Sequence, residues 1–201
     1  MFTGIVQATA SVTKVVKKND GLVLSIEKPK GWEIKTGDSI AMDGTCLTVA
    51  RVNKADYLVE LMPETLNKTY FSRNVPKKVN LERSLRLSDL LGGHLVSGHI
   101  DAVGVIRGIN RVGASSVCKI KYPKKFRRLV VEKGSMSVDG ISLTIVDIGP
   151  AWFKASLVDY TLKHTTLGNK GPGDLVNLEF DIIAKYLSNM TKYAKSAKRQ
   201  A

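Results

Sequence analysis

The chain has little cysteine, few acids for its many bases, and no long apolar run. Two cysteines stand in 201 residues, Cys46 and Cys118, and they fall in no metal-ligand spacing. A disulfide framework is not expected, no metal site is read, and a reducing, cytoplasmic setting is the default. No apolar stretch approaches the ~18 residues that a membrane helix needs, so no membrane partner is expected. The opening MFTGIVQATASVTKVV lacks a basic start and is interrupted by threonine and serine, so it does not read as a secretory signal. Acids number 18 against 31 Lys and Arg, a formal net charge of +13 with a pI near 9.8. Such an excess invites a polyanion. It is densest in KIKYPKKFRR (119–128), and residues 182–201 carry no acid. No helix-turn-helix, zinc or RNA-reading motif accompanies it. A solvated basic face is therefore the reading, and nucleic acid is not expected as a partner.

What is present is a phrase written twice. DGTCLTV (43–49) returns as DGISLTI (139–145), an offset of 96. ETLNKTYF (64–71) returns as YTLKHTTL (160–167), KKVNLE (77–82) as DLVNLE (174–179), and MFTGIV (1–6) is answered by LVSGHI (95–100). Four collinear echoes at offsets of 94 to 97 indicate a duplicated domain. The period is far above the roughly 20 to 50 residues of stacked repeats. The expected division is 1–91, 92–181 and a C-terminal segment 182–201.

Short alternating segments rich in Val, Ile and Leu dominate both halves: SVTKVV, LVLSIE, SIAMDG, CLTVARV, YLVELM, KVNLE, SVCKIKY, SLTIVDI, FKASLV and LVNLEF. Turn signals such as ND, GD, NK, GP and PGD separate them. The fold class is all-β, as small barrels or sandwiches. The exception is the end, where Ile182, Ile183, Tyr186, Leu187, Met190, Tyr193, Ala194 and Ala197 trace a helical stripe. RLSDLLGG (86–93) reads as the join between repeats, with a short helical turn closed by two glycines. If CLTV and SLTI are strands, Leu47, Val49, Leu143 and Ile145 face a core. Cys46, Thr48, Ser142 and Thr144 then face outward. Small hydroxyls and a thiol in place of Lys or Glu on an outer face point to ligand contact; a bland exposed edge is the alternative.

MFTGIV, DGTCLTV, PETL (63–66), GGHLVSGH (92–99), DGISLTI, TLKHTTLG (161–168) and the closing VNLEFD together resemble the riboflavin synthase family over essentially the whole chain. The resemblance implies two six-stranded antiparallel Greek-key barrels, a C-terminal helix and a homotrimer. Two molecules of 6,7-dimethyl-8-ribityllumazine would exchange a four-carbon unit, giving riboflavin and 5-amino-6-(ribitylamino)uracil, with no cofactor. Each site would lie between the first barrel of one chain and the second barrel of its neighbour. Two copies of one substrate need two like half-sites, which accounts for the duplication. One lumazine must lose a 7-methyl proton and the other become electrophilic, so the half-sites must differ. Cys46 against Ser142 is that difference, a thiol being the better nucleophile once its pKa is lowered.

The resemblance also implies the remaining site residues. Cys46 assists activation of the acceptor or proton abstraction; Ser142 hydrogen-bonds the other ring. His99 moves protons or orients a partner, and His94 is read as structural. Gly4, Ile5 and Val6 with Gly98, His99 and Ile100 flank the ring system. Thr48, Glu60, Thr65, Thr144 and Thr161 are candidates for the ribityl hydroxyls. Leu47, Leu61, Met62, Pro63, Glu64 and Leu143 complete the binding set with Leu157, Val158, Asp159, Tyr160 and Leu162. Ser39, Asp181 and Lys133 match further family positions, with a turn or surface role as the alternative for each. The repeats also depart from each other: TYFSRN stands opposite TTLG, and Tyr160 takes the position of Glu64. Lumazine proteins, which bind one chromophore as fluorescent antennae and typically have a degraded second half-site, are the rival within the same superfamily.

Overall fold

The first repeat builds one closed barrel from β1 (Ala8–Lys18), β2 (Gly21–Glu27), β3 (Ser39–Met42), β4 (Thr45–Val52), β5 (Asp56–Leu61) and β6 (Lys78–Arg83). The second repeats it with β7 (Ala102–Val112), β8 (Ser115–Lys121), β9 (Ser135–Val138), β10 (Ile141–Ile148), β11 (Trp152–Val158) and β12 (Leu175–Phe180). Strand orders are β1-β2-β5-β4-β3-β6 and β10-β11-β8-β7-β12-β9, and every pairing is antiparallel. Closure leaves neither barrel an open strand edge among the described residues. This computed structural model describes residues 1–112 and 115–197. The last four residues of the expected basic tail lie outside it, as do the side chains of Tyr193, Ala194 and Ala197 in the expected stripe.

Each barrel closes on its own apolar interior. Leu24, Ile26, Leu47, Val49, Tyr57, Val59, Val79 and Leu81 fill the first; Ile106, Ile120, Leu143, Ile145, Phe153, Leu157, Val176 and Leu178 fill the second. The alternation inferred for the echoed strands holds: Leu47, Val49, Leu143 and Ile145 are buried, Cys46 and Ser142 half-buried, Thr48 and Thr144 exposed.

Two strands, β7 and β9, have no counterpart among the segments picked from sequence. Gly104 and Gly108 interrupt the pattern of AVGVIRGINRV. Gly104 is there because a Cβ would stand 2.7 Å from Leu178 Cδ1. β9 has only 4 residues. Each repeat also carries a one-turn helix after its fifth strand, α1 (Pro63–Lys68) and α2 (Asp159–His164), where no helix was read. The join forms a single turn, Asp89 N–H donating to Arg86 O at 3.0 Å, rather than a closed helical segment. α3 (Ile182–Ala197) is helical as expected. Its stripe does not cover the barrel, however: Ile183, Tyr186, Leu187 and Met190 are 57%, 67%, 58% and 67% exposed. No helix among the described residues is long and apolar enough to cross a membrane.

Candidate active site

The echoed Asp-Gly pairs are the tips of two hairpins. Asp43 (φ 41) and Gly44 (φ 78) join β3 to β4, and Asp139 (φ 48) and Gly140 (φ 77) join β9 to β10. Two central residues with positive φ make a type I′ turn, which Asp-Gly fits best. The two tips meet: a Cβ on Gly44 would lie 2.7 Å from Gly140 N, and one on Gly140 2.8 Å from Gly44 N. Glycine is required at both for this approach.

Crossed amides tie the tips together. Asn80 Nδ2 donates to Asp139 O at 3.0 Å and its Oδ1 accepts from Thr166 N at 2.8 Å. Asn177 Nδ2 donates to Asp43 O at 3.0 Å and its Oδ1 accepts from Tyr70 N at 3.0 Å. The two buried aspartates are satisfied differently. Tyr70 Oη donates to Asp43 Oδ2, whereas Lys170 Nζ donates to Asp139 Oδ2 at 2.6 Å. Burial, helped by neighbouring Asp139, pushes Asp43 up to about 7. Asp139 is raised by burial against the pull of Lys170. Burial would lower Lys170, but the two carboxylates outweigh it and hold the ammonium above its ordinary value.

Beyond each tip lie Cys46 and Ser142, and a chain segment crosses over from the other repeat to each. Ser142 N–H donates to Gly4 O at 2.7 Å, so the N-terminal segment lies on the second barrel. Cys46 N–H donates to Gly98 O at 2.9 Å, so the segment 97–100 lies on the first. Gly4 (φ 77) and Gly98 (φ 83) pack so tightly that a Cβ would stand 2.7 Å from Ser142 Cβ and 2.5 Å from Cys46 Cβ. The structure thus brings Gly4, Ile5 and Val6 to Ser142, and Gly98, His99 and Ile100 to Cys46, as two equivalent half-sites. Ile5 and His99 are exposed.

The half-sites differ in more than thiol against hydroxyl. His94 Nδ1 lies 2.7 Å from Ser142 Oγ. His94, expected from sequence to be structural, is thus in contact with Ser142. Burial lowers its pKa against the opposing charge of Asp181, which favours the neutral ring. Asp181 also caps α3, Oδ1 accepting from Ile183 N at 2.9 Å. A cleft of about 380 Å³ beside it is lined by Ser135, Ile183 and Leu187. The matching cleft on the first barrel, about 690 Å³, holds Ser39, Ile5, Glu82 and Leu90. Ser39 pairs with Thr48 across β3 and β4, beside Cys46.

The loops expected to hold the ribityl chain occupy equivalent places. Glu60 pairs with Lys18 at 2.9 Å and, with Leu61, Met62 and Pro63, lines a cavity of about 350 Å³. Glu64, Thr65, Asp159, Tyr160, Thr161 and Leu162 lie on α1 and α2, after Leu157 and Val158. Thr65 O and Thr161 O each accept from a threonine Oγ1 at 2.7 Å, from Thr69 and Thr165. Tyr160 breaks the symmetry by stacking on His164 at 3.9 Å. Lys133 is exposed with φ 63, and its N–H donates to Ile145 O at 2.8 Å, anchoring the turn before β9.

The chain matches the family model of the Lumazine binding domain twice, over residues 3–84 and 97–181. It is 40% identical to the riboflavin synthase of Actinobacillus pleuropneumoniae over 93% of this chain and 88% of that one. With the riboflavin synthase of Mycobacterium bovis the identity is 42% over 96% and 100%, and with that of Bacillus subtilis 36% over 100% and 94%. Among solved structures, LumP complexed with riboflavin superposes with a TM-score of 0.82 at 27% identity, covering 90% of this chain and 99% of that one. LumP complexed with 6,7-dimethyl-8-(1'-D-ribityl) lumazine gives 0.80 at 26%, with the same coverage.

Proposed function

The chain belongs to the riboflavin synthase family, and on that premise we propose how its residues carry the reaction. Two molecules of 6,7-dimethyl-8-ribityllumazine dismutate, a four-carbon unit passing from one to the other, and leave riboflavin and 5-amino-6-(ribitylamino)uracil. The observation that supports this reading above all is the pair of half-sites with one backbone geometry and two chemistries.

At the first, Cys46 offers a thiol under Gly98 and His99. Its thiolate adds to C7 when the ring bound there is the electrophilic acceptor, or takes the 7-methyl proton when that ring is the carbanion donor, with His99, on the segment that crosses Cys46, for proton transfer. At the second, Ser142 and neutral His94 form a hydrogen-bonding pair for the other ring. Thr48, Glu60 and Thr65 on one barrel, and Thr144 and Thr161 on the other, hold the ribityl chains. Ser39 and Asp181 stand at the two clefts, and Lys133, in the turn before β9, is a further binding residue. Ring contacts come from Gly4, Ile5, Val6, Leu47, Ile100 and Leu143. Residues 1–91 and 92–181 are the two lumazine-binding units.

The chain works as a homotrimer assembled through α3, whose exposed Ile183, Tyr186, Leu187 and Met190 supply the apolar surface such contacts bury. Two free thiols suit the reducing cytoplasm. The test is to incubate the protein with 6,7-dimethyl-8-ribityllumazine and follow riboflavin absorbance, beside Cys46→Ala. Riboflavin from the parent and a sharp loss in the variant support both the activity and the thiol. Equal rates keep the enzyme and remove Cys46 from the chemistry. Binding without riboflavin favours the antenna reading, to which the likeness to LumP lends weight.

A further inference from the structure

Two buried carboxylates outside the set above hold the segments that roof the half-sites. Glu82, on β6 and 3% exposed, accepts at Oε1 from Thr3 N (2.6 Å) and Thr3 Oγ1 (2.7 Å), and at Oε2 from Gly4 N (3.0 Å). Glu179, on β12 and 1% exposed, accepts at Oε1 from Ser97 N (2.7 Å) and Ser97 Oγ (2.6 Å), and at Oε2 from Gly98 N (2.8 Å). The hydroxyls pass the order on: Thr3 Oγ1 accepts from Ile5 N at 3.1 Å and Ser97 Oγ from His99 N at 3.2 Å. Each clamped glycine then turns its carbonyl to the opposite barrel, Gly4 to Ser142 and Gly98 to Cys46.

We propose that each glutamate is the positioning residue of the opposite barrel's half-site: Glu179 sets the segment over Cys46, and Glu82 the segment over Ser142. The effect on catalysis rests on the functional reading above, whereas the crossed wiring itself stands on geometry and is measured without turnover. A carboxylate suits the task because it only accepts, and here both oxygens face donors. Charge-assisted bonds of this kind are roughly twice as strong as neutral ones. A glutamine would turn its NH₂ toward an N–H and push the segment away.

The test is the rate at which iodoacetamide alkylates Cys46, located by peptide mass. Cys118 is fully buried and its thiol is pushed up to about 12 by burial, so it gives a slow background. Glu179→Gln uncovers Cys46 and speeds its alkylation about tenfold. Glu82→Gln, although in the barrel of Cys46 itself, leaves the rate within about twofold. Ser97→Ala removes one donor and keeps the carboxylate, so it gives the milder counterpart should Glu179→Gln fold poorly: about fivefold faster. Thr3→Ala leaves Cys46 unchanged. Equal acceleration by the Thr3 and Ser97 variants, or a larger effect from Glu82→Gln than from Glu179→Gln, overturns the crossed assignment. The predicted pattern of alkylation in a parent that forms no riboflavin would count against the functional reading alone.

Discussion

Asn177→Ala removes the amide that joins the second barrel to the first. The side chain serves Asp43 O and Tyr70 N, both in the first barrel and both buried. Deleting it leaves one acceptor and one donor without a partner in a place water does not reach. Each such orphan costs about 1–3 kcal/mol, so the loss is about 2–6 kcal/mol. That is a large part of the roughly 5–15 kcal/mol of stability that natural domains hold. The chain supplies its own reporters: Trp32 packs against the first core, and Trp152 sits on β11 of the second. In urea, single-tryptophan versions of the parent unfold at one midpoint from either probe. Asn177→Ala lowers the unfolding free energy by the stated amount, and the midpoint with it. Asn80→Ala does the same by symmetry, since it orphans Asp139 O and Thr166 N. The double variant departs from additivity by about 0.5–3 kcal/mol, because the amides share one junction. A loss under about 0.5 kcal/mol in both single variants would refute the claim that these amides lock the barrels.

Three further outcomes follow from the same structure. Asp43 binds its proton more tightly when folded, from burial and then from Asp139. Its contribution to stability is therefore fully present below the unfolded value of 3.8 and is lost as pH rises through about 7. Urea midpoints of the parent relative to Asp43→Asn should fall across that window, and a constant difference would contradict the assignment. Leu187→Lys places a charge on the exposed stripe of α3; light scattering should show monomers, and turnover should vanish with the trimer. His94→Ala leaves Ser142 without its imidazole and should lower kcat about 10- to 100-fold with little change in unfolding midpoint.

Much of this architecture was legible because the duplicated phrases carry their own geometry. Asp-Gly between alternating segments specifies a I′ hairpin, and two copies imply two barrels. Cys46 and Ser142 stood out as candidates because small polar groups replace long ones on the outer face. β7 escaped because Gly104, needed for close packing against Leu178, and Gly108 break the alternation. The VNLE echo was visible, but nothing local shows that its asparagine bridges barrels and its glutamate holds a segment 78 to 82 residues away in sequence. Tyr70 and Lys170 were hidden for a different reason. They serve equivalent aspartates from positions that are not equivalent in the repeats, so no offset reveals them. The α3 stripe was legible as helical from its period, whereas Ile183, Tyr186, Leu187 and Met190 stay exposed on the chain.

The most direct test of the central claim counts lumazine against riboflavin under single-enzyme conditions with no added cofactor. The account predicts two 6,7-dimethyl-8-ribityllumazine molecules lost for each riboflavin and each 5-amino-6-(ribitylamino)uracil formed. A chain that binds one lumazine and returns it unchanged would contradict it.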